Sequence, residues 1–229
     1  DKLEQTKLAL VKEQGCSGVD DVPILIADTN DAASLDAMTS QTSTVITTVG
    51  PYTYYGTPLV ESSLRSSTHY CDLTGEIPWV RRNIKAYHKE ADEKGVKIVH
   101  CCGFDSVPFD LGVHMLAKAM EKEGKKLDSV STLMGSSLGG VSGGTVASGM
   151  AMSGYPTDEV KAMSDPYCLD PPESTWKGED KDESWWWGYN KDLKKHTYPF
   201  IMASCNTRVV RRSNALLGHA YGENFKYNE

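Results

Sequence analysis

Six consecutive residues, Thr44-Val45-Ile46-Thr47-Thr48-Val49, form a run dominated by β-branched side chains, and Gly50-Pro51 follows at once. Side chains branched at Cβ are stiff in a helix and pack well on a pleated surface, so this run reads as a strand. It shows no polar alternation, the pattern of a strand covered on both faces. Gly-Pro then breaks it. The same arrangement recurs along the first half of the chain. Strand-like segments at Pro23–Ala27, His69–Leu73 and Val96–Cys102 flank stretches with helical spacing at Asp31–Met38, Pro58–Ser66, Glu76–Lys94 and Asp110–Lys122. Asp31 is placed to cap its helix and Gly95 to end the long one. Strands separated by helices imply an α/β fold with a parallel sheet. The crevice of such a sheet lies beyond the strand C-termini. Four loops fall there: Asp28–Asn30, Val49–Tyr52, Asp72–Glu76 and Gly103–Ser106.

The second half reads differently. Ser129–Met134 is a strand candidate, Gly139–Thr145 a glycine-rich loop, and Val146–Met152 a small-residue helix. Thr157–Lys195 is charged, holds Pro171-Pro172 and Trp185-Trp186-Trp187, and reads as an irregular insertion or lid. Arg208–Ser213 begins a final amphipathic element. We therefore expect two domains, 1–126 and 127–229, with the Trp-rich insertion at 157–195.

Composition excludes several functions. With 24 Lys+Arg against 31 Asp+Glu, the net charge of −7 argues against nucleic-acid partners and polybasic membrane attachment. Six cysteines spread over 229 residues, two of them adjacent, do not make a secreted disulfide framework, which fits a reducing intracellular compartment. The uncharged Ser129–Thr157 stretch is too rich in Gly and Ser to span a bilayer, and no signal-peptide pattern follows Asp1. Asp1–Gln14 is amphipathic and starts in mid-helix without a cap, which leads us to expect a fragment.

Several residues can carry chemistry. Gly50, Pro51 and Tyr52 form a turn that lets the backbone approach a planar ligand, or else an ordinary strand-to-helix turn. Asp28 can meet a ribose or an adenine amino group, or cap the next segment. Tyr70 is a candidate proton donor and Asp72 a carboxylate to orient it, whereas Glu76 suits a helix N-terminus. His69, Cys71, His100, Cys101 and Cys102 match no zinc spacing, and alternation along a strand stops them converging, so we expect no metal. Gly139–Thr145 can cradle a phosphate or serve as a tight turn. The tryptophans suit a core cluster, a lid or a membrane-contacting edge. Arg208, Arg211 and Arg212 can clamp an anion or line a salt-bridged helix face.

The motifs Val49-Gly50-Pro51-Tyr52, His69–Glu76 (HYCDLTGE), His100–Pro108 (HCCGFDSVP), Ser142–Thr145 (SGGT) and Thr207–Leu216 (TRVVRRSNAL) resemble the saccharopine dehydrogenase-like oxidoreductases, and are similar also to bacterial trans-acting enoyl reductases. The resemblance implies a Rossmann-type sheet, here partial, with part of a second α+β domain. It implies NAD or NADP as cofactor and a small-molecule or lipid-like substrate in lipid or glycolipid metabolism. It further suggests a homodimer and association with lipid droplets, mitochondria or other membranes. On this basis Asp28 lies at the adenosine end; Thr48, Gly50, Pro51 and Tyr52 line the cofactor; Asp72, Phe104 and Ser106 adjoin it. Tyr70 and Asp105 are the proton-handling candidates, and Ser142, Gly143, Gly144 and Thr145 face substrate. Members open with a strand and a G-x-G-x-x-G-like turn not found in this sequence, so we expect a partial chain without the pyrophosphate site. The alternative is a non-catalytic, lipid-associated scaffold that keeps the fold.

Overall fold

The computed structural model describes residues 2–14, 18–135, 140, 142–182, 188–191, 194–198 and 200–229. In chain order its elements are α1 (Lys2–Gln14), α2 (Ala32–Thr39), β1 (Thr44–Thr47), α3 (Tyr52–Arg65), β2 (His69–Asp72), α4 (Ile77–Lys94), β3 (Ile98–Val99) and α5 (Val107–Lys122). There follow β4 (Ser129–Ser131), α6 (Gly143–Met152), α7 (Thr157–Ala162), β5 (Gly188–Asn190), β6 (Lys195–Thr197), α8 (Ala203–Leu216) and β7 (Lys226–Asn228).

The first half is the expected parallel α/β unit. β1, β2 and β3 lie side by side in that order, both pairs parallel. Local chemistry sets the element ends. Asp31 caps α2, its carboxylate accepting the N–H groups of Ala33 (3.0 Å) and Ser34 (3.3 Å). Gly95 ends α4 in the left-handed region (φ 65°), where a Cβ would be penalised. The register aligns Val45, Tyr70 and Ile98 on one sheet face, and these pack into the core with residues of α3 and α4. Ile46, Cys71 and Val99 share the other face, and there Ile46 is 77% and Val99 45% exposed.

Several sequence expectations are thereby corrected. Thr44–Val49 is covered on one face only, because among the described residues no helix packs over Ile46. Pro23–Ala27 is not a strand, because no neighbouring strand offers it a ladder among the described residues. The third strand shrinks from Val96–Cys102 to two residues, since Cys101 turns into the left-handed region (φ 61°). Helices start earlier than their apolar spacing suggests. α3 begins at Tyr52 and takes in Pro58, α5 at Val107, and α6 at Gly143. The Trp185–Trp187 cluster lies outside the described residues.

In the second half β4 pairs in parallel with β7, and β5 with β6 in antiparallel. Val113 of α5, Val210 of α8, Tyr221, Phe225 and Tyr227 form a second core. The segment expected to be an irregular insertion contributes Asp180 and Asp182, which anchor α8 through Arg208 (2.6 Å to Asp182) and Arg211 (2.7 Å to Asp180, 2.8 Å to Asp182). Those two arginines are buried rather than solvated. Among the described residues no helix is long and apolar enough to cross a membrane.

The α3–α4 contact is close-packed. A Cβ built on Gly56 would lie 2.5 Å from Cζ2 of Trp79, whose ring is fully buried and whose indole N–H donates to the Thr57 hydroxyl (3.0 Å). In an open helix Gly→Ala gains about 1 kcal/mol. At this position Gly56→Ala will instead destabilise by about 1–3 kcal/mol through overpacking, as measured by urea denaturation.

Candidate functional site

The loops that leave β1, β2 and β3 gather at one end of the sheet. After β1 the chain passes through Thr48 and Val49, both exposed, then through a cis Gly50–Pro51 bond into α3. The first N–H groups of a helix lack intrahelical partners. Here the partner is the buried carboxylate of Glu76, which accepts from the N–H groups of Tyr52 (2.9 Å) and Thr53 (2.8 Å). The negative charge lies at the positive end of the α3 dipole. Glu76 is also the residue that opens α4, so its side chain caps the neighbouring helix rather than its own. The same carboxylate accepts from the hydroxyls of Ser148 on α6 (2.9 Å) and Tyr155 beyond it (3.4 Å). Arg82 of α4 stacks over the Tyr155 ring, donates to Thr53 and pairs with Glu159 (2.7 Å). In this way α6 is brought onto the Gly50 turn, and a Cβ at Gly50 would meet Ser148 at 3.5 Å.

A second buried carboxylate ends β2. Asp72 accepts from the N–H groups of Thr74 (3.0 Å) and Cys101 (3.1 Å) through one oxygen, and the other oxygen lies 2.6 Å from Nδ1 of His100. An ionised carboxylate can only accept, and toward it Nδ1 of His100 is the donor. The rings of Trp79 (centroids 4.9 Å) and Tyr70 (5.8 Å) box the imidazole edge-on. Cys101 is held in its left-handed conformation by the Asp72 carboxylate and by the bond from Cys102 N–H to the Asp72 carbonyl (2.7 Å).

The structure assigns the sequence candidates distinct environments. Tyr70 is wholly enclosed, its hydroxyl has no hydrogen-bond partner among the described residues, and burial pushes its pKa far above the ordinary value. Tyr52 is also buried, donates to the Thr47 carbonyl (3.1 Å), and is pushed up to about 12, chiefly by burial. Asp105 is an exposed carboxylate in the turn after β3, beside Phe104, which is 74% exposed. Ser106 opens α5 and donates to Asn206 on α8 (2.7 Å). Asp28 is exposed and accepts from the backbone N–H of Asn30 (2.8 Å). Ser142 caps α6 by accepting from Thr145 N–H (3.2 Å), so Gly143, Gly144 and Thr145 form an exposed first turn rather than a loop. Thus Gly50, Pro51, Tyr52 and α6 are brought together through Glu76, and Asp72 is joined to His100. Among the described residues no three His, Cys, Asp or Glu side chains form a metal-holding group.

Ser148, Tyr155 and the His100 partnership were not foreseen. His100 had a usable signal. Tyr70 lies opposite Ile98, and extending that register by two residues sets Asp72 beside His100. Ser148 and Tyr155 meet Glu76 across more than 70 positions, and no local pattern announces such a contact.

Val49, Leu73 and Phe104 leave exposed apolar surface at the sheet end for a ring to cover. At the glycine-rich start of α6, Thr145 N–H is committed to the Ser142 cap.

No protein-family model matches the chain. Curated proteins do. Over 224 residues the chain is 42% identical to a Mycobacterium tuberculosis (strain H37Rv) protein named provisionally as a trans-acting enoyl reductase, covering 90% of this chain and 52% of that protein. The trans-acting enoyl reductase of Mycobacterium leprae is 37% identical over 227 residues, covering 91% and 52%. The chain is similar to trans-acting enoyl reductases. It spans about half the length of these relatives. Among solved structures, the apo histidine-tagged saccharopine dehydrogenase (L-Glu forming) from Saccharomyces cerevisiae matches with TM-score 0.37 and 23% identity, over 46% of this chain and 22% of that one.

Two measurements check the site. Glu76→Ala strands two helix N–H groups and two hydroxyls, and will cost about 3 kcal/mol in urea melts, with Glu76→Gln costing less. Burial, then Cys71 and Asp72, push the Cys102 thiol up to about 11 from 9.0. Alkylation of Cys102 by iodoacetamide will therefore keep rising with pH until about 11, instead of levelling near 9, as followed by peptide mass spectrometry.

Proposed function

We propose that the chain is part of an NAD(P)-dependent oxidoreductase of the enoyl-reductase type acting on a lipid-like substrate. The observation that carries this reading is the identity of 37–42% to named trans-acting enoyl reductases over nine-tenths of the chain. The geometry supports it. Thr48, Val49, Gly50 and Pro51 would hold the nicotinamide end against the sheet, with Leu73 and Phe104 covering its apolar face. When bound, the cofactor supplies the hydride. The chain's own residues would orient the partners, exclude water and handle one proton.

For the proton we assign Asp105, which is exposed at the crevice and beside Phe104. Tyr70 would act by packing, its hydroxyl being sealed in the core. Asp72 would fix His100 and the Cys101 turn, and through them the loop that carries Asp105. The exposed first turn of α6, Ser142 to Thr145, would face substrate, positioned by Ser148 on Glu76.

The test is a fluorescence titration of the 229-residue chain with NADH and with NADPH. We expect enhanced nicotinamide emission with one of them, weakened at least tenfold by Val49→Asp. Val49 is exposed, so that change will leave stability within about 0.5 kcal/mol. In a coupled assay of enoyl-thioester reduction, Asp105→Asn should lower kcat by about 10²–10⁴ without weakening cofactor binding. Failure of both nucleotides to bind this chain would overturn the assignment of these loops to the nicotinamide end, and failure by a version extended upstream as well would favour the scaffold reading.

A further inference from the structure

Helix α8 carries Arg208, Arg211 and Arg212, and two of the three are matched. Arg208 and Arg211 are ion-paired with Asp182 and Asp180. Arg212 is not. Among the described residues its one hydrogen bond runs from Nη1 to the Leu169 carbonyl, and it makes no ion pair. Asp170 and Glu173 act on it from beyond ion-pair distance, and burial pushes the Asp170 carboxyl up to about 6. Burial lowers the Arg212 pKa, against the opposing effect of Asp170 and Glu173.

Arg212 lines a cavity of about 500 Å³ bounded by α4, β3, α5 and α8. The cavity runs along the edge of β3 that pairs with no strand among the described residues. Its wall is mainly apolar: Val80, Ile84, Val96, Leu111, Val209 and Leu216. Its acidic lining is Asp92, exposed, and Asp110, whose carboxyl burial holds above its ordinary pKa. Ligand sites have this build, a concave apolar space of roughly 300–1,000 Å³ with a few polar groups.

We propose that this cavity binds a carboxylate carried on an apolar tail, the head on Arg212 and the tail along the α4–α5 wall. A guanidinium fork matches a carboxylate in two parallel hydrogen bonds, and supplying that anion relieves the cost of a half-buried, unpaired cation. The apolar wall requires a tail, which a bare anion lacks. The cavity shares Ser106 and the end of β3 with the loop that follows that strand, but the argument from Arg212 does not depend on the cofactor assignment.

Calorimetry of the 229-residue chain with decanoate, 1-decanol and acetate tests it. We expect decanoate to bind at least tenfold more tightly than 1-decanol or acetate. Arg212→Gln should weaken decanoate at least tenfold and leave 1-decanol unchanged, Arg212→Lys should fall between, and Leu216→Trp, filling the cavity from its exposed rim, should block decanoate. Ile46→Lys, on the bare sheet face, should change nothing. The proposal is overturned if decanoate does not bind, if acetate binds as well, if Arg212→Gln binds decanoate like the parent, or if Ile46→Lys rather than Leu216→Trp abolishes binding. Should Arg212→Gln fail to fold by circular dichroism, the ligand series on the parent chain and Arg212→Lys still decides.

Discussion

The carboxylate of Glu76 is the constraint on which the site depends. It accepts from two backbone N–H groups of α3 and two hydroxyls of the α6 region, while its own backbone opens α4. Such an anion would be costly to bury without donors. With them it fixes three segments relative to one another, because each donor is lost if its segment moves away. The Gly50 turn is therefore held by a charge on the next helix of the sheet, and the small residues of α6 are held by that same charge.

The other buried charges follow this rule with different partners. Asp72 is satisfied by backbone and imidazole at the strand ends. Asp180 is satisfied by the Arg211 fork and by Tyr227 N–H (3.1 Å), which joins α8 to β7. Buried pairs of this kind contribute less to net stability than to fixing one arrangement, since breaking either partner leaves an uncompensated charge. Arg212 stands apart because among the described residues it donates only to the Leu169 carbonyl and makes no ion pair.

What the sequence reveals depends on the range of the interaction. The β-branched run at 44–49, the Asp31 cap and the Gly95 stop act within a few residues, and β1, α2 and the end of α4 come out close to expectation. Strand cover is not local. Nothing in Thr44–Val49 distinguishes one covered face from two, so the exposure of Ile46 could not be read from it. Helix starts were misjudged for a related reason. Apolar spacing marks only the packed turns of α3, while its first turn is stabilised by Glu76, 24 positions away. The candidate crevice residues Gly50, Asp72 and Ser106 were visible as loop residues, but whether a side chain faces solvent, as Asp105 does, or the core, as Tyr70 does, is decided by tertiary packing.

Cys101, at the end of the sheet, and Cys205, on α8, touch sulfur to sulfur at 3.9 Å, both buried. Neither thiol is reachable while α8 remains docked. The neighbouring Cys205 sulfur and then burial hold the Cys101 thiol well above its ordinary pKa. A thiol reagent can reach them only when α8 has moved off the sheet. The contact thus makes the docking of α8 on the sheet readable by thiol chemistry at two native residues.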